Sequence, residues 1–506
     1  MSTTTQEKPQ TRATVDFSQL DEETSKMYIL EARPKLRLAL PVTLQHLLAM
    51  WASNLVPIML ISAAAGVEPG SPMQIVMLQG AMVGAGLATL LNCYPIKIFG
   101  IQIGANLPIV MGTSMTFVPP ALAVAARATQ LGYENVIGVV LGGLIVACVA
   151  ELFLGAVYKW VKPFLPPIVL GAVLLSLGLS LLTVGMNNFG GNPATPGFGS
   201  TQNLTIAFTV FIVYTLLQRF GQGIWKLASV LIAMGVGYLM SIAWGMVNFA
   251  PIYTSAPFRV PMPIFVGYNS IQPVFEGWAI VMFLAVYVVS GLATIGYTHT
   301  ITSQAVGRMS TNEETRGALL ADAVGTWLTL LFNGLPNTEF GQNSALVAYT
   351  KVISKWVVAL AAFILIAGSF FPPIGAVFAT FPAAVIGGGV LAVFAFIMTN
   401  AIVLIAKDGF TPRKLTQLCI TFAIGLGFAN PGAIVQPANL VSAADGGQGL
   451  NFTRLIANFP DWLHFIFNDR VLLMAVVAIL VNLLFMTKED FAKAVAGWKK
   501  EEIEYI

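Results

Sequence analysis

Residues 333–351 read NGLPNTEFGQNSALVAYTK, a polar stretch rich in Gly and Asn that lies between two strongly apolar blocks. Gln342 and Asn343 stand side by side in it, just before a helical run. Inside a lipid bilayer, irregular polar backbone is tolerated only where it is buried in protein or lines a cavity. We therefore expect a broken membrane span here, whose free backbone groups form a site for a small polar molecule.

The composition of the whole chain indicates a polytopic membrane protein. Of its 506 residues, 56% are apolar and only 10% are charged, whereas a soluble domain carries about 25% charged residues. Apolar runs of roughly 20 residues, the length of a membrane-spanning helix, recur along most of the sequence. The three cysteines have no metal or disulfide spacing, and we find no phosphate loop, nucleophile elbow, zinc motif or nucleic-acid signature. We expect no enzyme activity, cofactor, metal or nucleic-acid partner.

The apolar pattern predicts an all-α fold with fourteen membrane spans. Two of them, the third and the tenth, are short or interrupted by polar residues and proline, and each is third in its half of seven. Broken spans at matching positions of two halves indicate a 7+7 inverted repeat around a central site. The predicted spans are 38–62, 73–92, 105–125, 135–158, 164–183, 203–219, 226–247, 278–300, 317–333, 337–351, 354–371, 377–405, 414–430 and 471–487.

The basic residues support this count. With a cytoplasmic amino terminus, 22 of the 26 Lys and Arg residues fall on the inside and four on the outside. This is the positive-inside pattern, which is most diagnostic in short loops. We therefore predict a cytoplasmic segment 1–37, a transmembrane domain 38–487 and a cytoplasmic tail 488–506, in the plasma (inner) membrane.

Polar residues within the first and third spans are candidates for function. Gln45 and His46 lie in the first span, where an ionisable residue is a functional hypothesis, although a lone His in an apolar helix is also explained as a hydrogen-bonded packing residue. The third span, GANLPIVMGTSMTFVPP at 104–120, contains prolines and small polar residues around Ser114. It is either a kinked helix whose hydroxyls bond back to its own carbonyls or a cavity wall, and its match to the tenth span favours the wall.

The tenth span carries the densest polar set. One amide of Gln342 can both donate and accept, which suits the edge of a heterocyclic imide or amide, although it could merely tie two helices together. Asn343 can hold the broken backbone, and Thr350 follows one helical run later. Glu339 is either part of the site or an outside loop charge. Two further acids lie in apolar spans and are costly unless paired: Asp322 in the ninth, and Glu151 in the fourth, which could instead reach the inner surface.

Five motifs in these spans resemble the nucleobase–ascorbate transporter family. They are LQHLLAM at 44–50, GTSMTFVPP at 112–120, ADAVG at 321–325, PNTEFGQN at 336–343 and QNSALVAYTK at 342–351. The resemblance covers nearly the whole chain. It implies a core domain of spans 1–4 and 8–11, a gate domain of spans 5–7 and 12–14, and a homodimer. It also implies a short strand before a half-helix in spans 3 and 10.

The chain also departs from the family pattern. Gln342 resembles the residue that the purine-type branch has at this position, but Ala345 stands where the family signature has Gly. On the eighth span the family has a Glu and, four residues later, an Asp or His that bind substrate and couple protons. Those positions are Ala293 and Tyr297 here, so the proton site, if there is one, must lie elsewhere. Candidate substitutes are Glu339, which ranks first, then Asp322, His46, His299 and Glu151.

Two functions remain open at this point. The first is an alternating-access carrier for a nucleobase-like heterocycle, a purine such as xanthine, urate, guanine or hypoxanthine, coupled to H⁺ or Na⁺. The second is an uncoupled facilitator or channel for another small polar solute. We expect the glycines 387–389 to let core and gate helices approach closely. The predicted substrate-binding residues are Gln342, Asn343, Ser114, Met115, Thr294, Glu339 and Tyr297, and the predicted coupling or structural polar residues are His46, Gln45, Asp322 and Thr350.

Overall fold

The structure is a computed structural model, and it describes residues 12–16, 20–161, 164–191, 197–222, 224–263, 271–407, 409–427 and 470–487. The predicted tail 488–506 and residues 428–430 of the predicted thirteenth span lie outside the described residues. Everything below refers to the described part of the chain.

The first half of the chain begins with a short helix, Glu22–Ser25, and a 3₁₀ turn, Lys26–Tyr28. The main elements that follow are α1 Leu36–Ala64, α2 Pro72–Cys93, β1 Ile96–Ile98, β2 Ile101–Ile103, β3 Met111–Thr113, α3 Val118–Gln130, α4 Val136–Ala147, α5 Val149–Val161, α6 Pro167–Phe189, α7 Thr201–Phe220 and α8 Ser229–Ala243. A 3₁₀ turn, Met115–Phe117, joins β3 to α3, and short helices span Ile224–Leu227 and Ala250–Thr254.

The second half of the chain also contains a broken span, at the strand Asn337–Glu339 and the helix after it. Its elements are α9 Gly277–Ile301, α10 Asn312–Leu331, β4 Asn337–Glu339, α11 Gly341–Thr350, α12 Lys355–Ser369, α13 Pro372–Ala379, α14 Ala383–Lys407, α15 Pro412–Gly425 and α16 Arg470–Phe485. A π-helical segment, Thr302–Val306, extends α9.

The helices overlap the predicted spans, with boundaries that differ by up to about six residues, as at the end of α6 and the start of α14. The predicted twelfth span starts at 377, but its helix α14 starts at Ala383. Pro382 explains the difference, because proline donates no hydrogen bond and disfavours a helix at the residue before it. Helix α13 instead belongs with α12, from which it is bent by 86°.

The described part of the chain has six helices long and apolar enough to cross a membrane, or seven if the bent pair α12–α13 counts as one span. The protein is therefore a mostly helical, multi-pass membrane protein. The count of fourteen and the inverted repeat stay predictions.

The predicted strands of the two broken spans are present, and they pair with each other. Strands β3 and β4 form an antiparallel ribbon, with Met111 opposite Glu339 and Thr113 opposite Asn337. All six residues are buried. Residues more than 200 positions apart in the chain thus meet inside the helix bundle.

Glycines set the closest helix packing, within the predicted gate. Gly171, Gly178 and Gly185, seven residues apart on α6, face α14, where a Cβ at Gly178 would lie 2.3 Å from Met398 Cγ. We expected glycines 387–389 to lie where core and gate helices approach each other, and this location was wrong. These residues abut α6, α7 and α8, which all belong to the predicted gate, so they do not lie between the predicted core and the predicted gate.

The connection into β4 also depends on a glycine, and this gives a first prediction. A Cβ at Gly80 in α2 would lie 2.1 Å from Phe332 O and 2.7 Å from Gly334 N. Gly80→Ala must displace this backbone, and overpacking of this kind costs about 1–3 kcal/mol. We expect a lower melting temperature in detergent.

Gly235→Ala is the matched control, because that residue lies in α8 with nothing within 4 Å of an added Cβ. Alanine is intrinsically the better helix former, so this variant should be at least as stable as wild type. Equal melting temperatures for the two variants would contradict the tight packing at Gly80.

Candidate functional site

Side chains of three surrounding helices satisfy the outer edges of the β3–β4 ribbon. Thr89 Oγ1 of α2 accepts from Met111 N at 2.9 Å, and Asn54 Oδ1 of α1 accepts from Thr113 N at 2.8 Å. Thr326 Oγ1 of α10 accepts from Asn337 N at 3.0 Å. Buried backbone groups without partners are costly, above all in a membrane. These three side chains therefore let two isolated strands exist there.

Two short helices leave the ribbon in opposite directions. Backbone bonds from Ser114 N to Pro336 O (2.8 Å) and from Phe340 N to Val110 O (2.9 Å) continue the pairing up to their starts. Because the strands are antiparallel and each precedes its helix, the two helix N-termini are directed toward the ribbon. A helix N-terminus carries partial positive charge and unpaired N–H groups. The arrangement places polar backbone around one point of the bundle.

Gln342 and Asn343, adjacent in sequence, have different surroundings. Asn343 is buried and ties α11 to α1, because its Nδ2 donates to His46 O at 2.9 Å and lies 3.1 Å from His46 Nδ1. Gln342 is half-buried and donates a long hydrogen bond of 3.3 Å to Ser53 Oγ. Asn343 Nδ2 thus ties α11 to α1, although its Oδ1 has no hydrogen-bond partner in the described structure. The amide of Gln342 has one weak partner, which another molecule could replace.

Gln45 and His46 of the first span, also adjacent in sequence, likewise have different surroundings. His46 is fully buried and its contact with Asn343 matches the packing interpretation, although its Nε2 has no hydrogen-bond partner in the described structure. Gln45 is half-buried on the neighbouring face of α1.

Glu339 is buried and is not a loop charge. Its Oε2 accepts from Thr298 Oγ1 at 2.9 Å, and its Oε1 accepts from Ser344 Oγ at 2.7 Å. These hydroxyls come from α9 and α11, so the carboxyl joins β4 to both helices.

The other two acids are buried as well. Asp322 Oδ2 accepts from Thr294 Oγ1 at 2.5 Å, and Thr338 Oγ1 lies 3.5 Å away. Glu151 has no exposed surface, which excludes the interpretation that it reaches the inner membrane surface. The hydroxyl of Thr294 is therefore directed at an acid in the protein interior.

A cavity of about 400 Å³ runs along α11, from Gly341 at its start to Lys351 just after its end. Tyr297 of α9 stands on its wall, with its ring against Gly341, where a Cβ would meet the ring at 2.6 Å. Ala345, at the position where the family signature has Gly, also lines it. The remaining lining residues are Gly296, Thr300, Gln304, Ala348, Tyr349 and Lys351 on this side, and Leu174, Val403 and Leu404 from α6 and α14.

The remaining predicted residues lie around this centre. Ser114 is buried at the end of β3, and its hydroxyl has no hydrogen-bond partner. Met115 packs into the apolar core. Thr350 donates back to Leu346 O of its own helix at 2.8 Å, and His299 contacts Ser310 at the far end of α9. Of the predicted substrate-binding residues, Tyr297 lines the cavity.

The supporting residues Asn54, Thr89 and Thr326 were missed at the sequence level. Asn54 could have been noticed, because a strongly polar residue inside an apolar span needs a partner. A buried threonine gives no comparable signal, since its hydroxyl can bond to its own helix.

Broken strand–helix spans around a buried polar centre, in a bundle of apolar helices, define a membrane transporter. Residues 38–434 match the model of the permease family Xan_ur_permease. The chain belongs to this family, the nucleobase–ascorbate transporters, so it is a permease and not an enzyme.

Individual relatives extend the match to most of the chain. The xanthine permease XanP of Escherichia coli K12 is 28% identical over 471 residues, which cover 91% of this chain and 94% of XanP. The uric acid permease PucJ of Bacillus subtilis 168 is 27% identical over 454 residues, covering 88% and 92%.

Solved structures share the fold at low sequence identity. The transmembrane domain of the cyanobacterial bicarbonate transporter BicA superposes with a TM-score of 0.51 at 14% identity, covering 89% of this chain and 98% of that domain. The murine anion transporter Slc26a9 in its inward-facing state gives 0.54 at 13% identity, covering 88% and 68%. The fold is therefore that of known membrane transporters.

The support of the ribbon gives a second prediction. Asn54→Ala leaves Thr113 N–H buried without an acceptor, which costs about 1–3 kcal/mol. We expect a lower melting temperature and weaker substrate binding, because β3 loses its fixed position.

Asn188→Ala is the control, since its side chain bonds only to Val184 O of its own helix at 2.9 Å. It should leave the free energy of unfolding within about 0.5 kcal/mol of wild type, as for a site away from special features. A stable, fully binding Asn54→Ala protein would show that the ribbon does not need this acceptor.

Proposed function

We propose that this permease carries a purine-like nucleobase, such as xanthine or uric acid, across the membrane by alternating access. The relatives named xanthine and uric acid permeases support the substrate class. The buried β3–β4 ribbon supports the location of the site, since transporters hold substrates where discontinuous spans meet near the midplane.

The chemistry near the start of α11 suits a flat heterocycle with amide edges. Oxopurines present an N–H donor beside a carbonyl acceptor, and the side-chain amide of Gln342 offers the complementary pair. The Tyr297 ring on the cavity wall offers an aromatic face, on which bases stack readily. The cavity volume of about 400 Å³ falls within the range of about 300–1,000 Å³ for small-molecule sites.

The position of the cavity supports a movement between two parts of the bundle. One wall comes from α9 and α11 of the predicted core, and the other from α6 and α14 of the predicted gate. Motion of one wall against the other would open the cavity to alternate sides of the membrane. Coupling to H⁺ or Na⁺ is part of this proposal.

The proposed setting is the plasma (inner) membrane, with both termini in the cytoplasm and two copies in a homodimer. The uneven distribution of Lys and Arg supports the orientation. Exposed apolar side chains on α7 and α8, such as Phe208 and Leu239, suit contact with lipid or with a second copy.

Uptake of labelled xanthine, uric acid, uracil and ascorbate into cells that lack their own carriers tests the function. We expect saturable uptake that concentrates the purines inside the cells. A proton ionophore should reduce this uptake to equilibration. Uptake that only equilibrates, with or without the ionophore, would favour a facilitator. No purine uptake by a correctly inserted protein would refute the proposed substrate class.

The third prediction concerns Gln342. Replacing it by Ala removes both hydrogen bonds to the base, and unmade bonds in a buried site cost about 1–3 kcal/mol. We expect Gln342→Ala to weaken purine binding by roughly tenfold or more, measured by competition against labelled purine.

Gln222→Ala is the matched control, because Gln222 is exposed in the loop after α7. Both variants should be expressed and melt like wild type. Unchanged affinity in a well-folded Gln342→Ala protein would remove Gln342 from the site.

The fourth prediction tests the relative movement. A Cβ at Gly296 of α9 would lie 4.0 Å from Leu404 Cδ2 of α14, across the two walls of the cavity. A Gly296→Cys/Leu404→Cys pair joined by a short thiol cross-linker should stop transport, and cleavage of a reducible linker should restore it. Exposed Cys419 is first replaced by Ser.

The two single-cysteine proteins, treated with the same reagent, control for modification of the cavity. Full transport by a completely cross-linked double variant would exclude the movement of α9 against α14.

A further inference from the structure

Two buried acids meet in the protein interior without any cation. Glu151 lies near the middle of the α4–α5 unit, Asp322 lies near the middle of α10, and neither has exposed surface. Their helices are joined beside the two acids, because Cys148 Sγ donates to Ala323 O at 3.3 Å. A Cβ at Gly291 of α9 would lie 3.5 Å from Glu151 Oε1 and 3.2 Å from Leu319 of α10, so both carboxyls occupy one interior region, where they interact electrostatically. Both oxygens of Glu151 and Oδ1 of Asp322 have no hydrogen-bond partner in the described structure.

The groups that face this pair carry no positive charge. They are Cys148 at the α4–α5 junction, Tyr287 of α9 and Glu339 at the end of β4. Cys148 Sγ donates to Ala323 O at 3.3 Å and Tyr287 OH to Leu144 O at 3.0 Å, so neither hydroxyl nor thiol is directed at the pair. No Lys, Arg or His of the described residues forms an ion pair with either acid.

Two adjacent carboxylates cannot both stay ionised in such a place. Burial disfavours the charged form, and a like charge nearby disfavours it further. A carboxylate only accepts hydrogen bonds, whereas a protonated carboxyl also donates one. A proton bound between Glu151 and Asp322 would therefore supply the donor that their unpartnered oxygens lack.

The pair is connected to the substrate-binding centre through Asp322. Its Oδ2 accepts from Thr294 of α9 and lies within reach of Thr338, the residue of β4 opposite Gly112. A change in the charge of Asp322 therefore acts directly on the ribbon and on the helix that lines the cavity. Glu339, first in rank at the sequence level, has a hydroxyl donor on each oxygen, which suits a structural role.

We propose that Glu151 and Asp322 together form the proton site of this transporter, in place of the eighth-span positions occupied by Ala293 and Tyr297. When the pair is open to water on one side it binds a proton as a carboxylic acid O–H. When it is open to the other side it returns that proton to water. Only O–H bonds form and break, and one proton crosses with each cycle. This inference rests on the proposed function, since the proton movement drives purine transport.

Purified protein in liposomes separates coupling from transport. A gradient of one pH unit supports at most about tenfold accumulation per proton. We expect wild type to concentrate labelled xanthine or uric acid several-fold under this gradient. Glu151→Gln and Asp322→Asn should fall to a ratio of one while retaining purine exchange without a gradient. Glu134→Gln, an exposed acid-to-amide change before α4, should behave like wild type.

Undiminished pH-driven accumulation in Glu151→Gln would overturn the assignment. If wild type exchanges purine but never responds to the pH gradient, the proton site is wrong while the proposed function stands. If wild type neither exchanges nor accumulates purine, the proposed function itself fails.

Infrared difference spectroscopy tests the pair independently of transport. Wild type should show the C=O band of a protonated, buried carboxyl at neutral pH, and Glu151→Gln should lose or shift it. Absence of such a band in wild type would overturn the shared proton, whatever the transport assays show.

Discussion

Six residues, Met111–Thr113 and Asn337–Glu339, pair as antiparallel strands inside a bundle of apolar helices. A two-stranded ribbon exposes backbone groups at both outer edges, and lipid offers them no partner. Side chains from α1, α2 and α10 provide those partners instead. The ribbon thus depends on the helices around it, and these helices are held in register by the hydrogen bonds they make to it.

The polar centre follows from this constraint. Because each strand ends where a short helix begins, two helix N-termini and a set of polar side chains converge at the ribbon, and the cavity runs along one of these helices, α11. Asn343 and Glu339 are occupied in holding α11 to its neighbours, α1 and α9. Gln342 keeps a weak contact, which leaves its amide suited to a ligand. The broken span thus contains residues that hold α11 in position, Asn343 and Glu339, together with Gln342, which is proposed to bind the substrate.

In the proposed mechanism, the acids Glu151 and Asp322 take the role that the resemblance assigns to two positions on α9. Tyr297 occupies a family acid position and presents an aromatic ring to the cavity. Glu151 and Asp322 provide two buried carboxyls near the ribbon. Asp322 is linked to α9 through the hydroxyl of Thr294 and to β4 through that of Thr338. The physical requirement for proton binding is a buried acid without a cation, and the position of that acid along the chain is secondary.

The apolar runs, the polar break at 333–351 and the distribution of Lys and Arg were enough to predict a multi-pass protein and the two broken spans, whereas their strands were implied by the resemblance to the nucleobase–ascorbate transporters. Each of these features depends on the local transfer of side chains or backbone to lipid, which the sequence records residue by residue. Which side chains meet depends on packing between distant helices. The burial of Glu339, the proximity of Glu151 to Asp322, the hydrogen bond from Thr113 N to Asn54 and the packing of glycines 387–389 against α6, α7 and α8 therefore emerged from the folded arrangement alone.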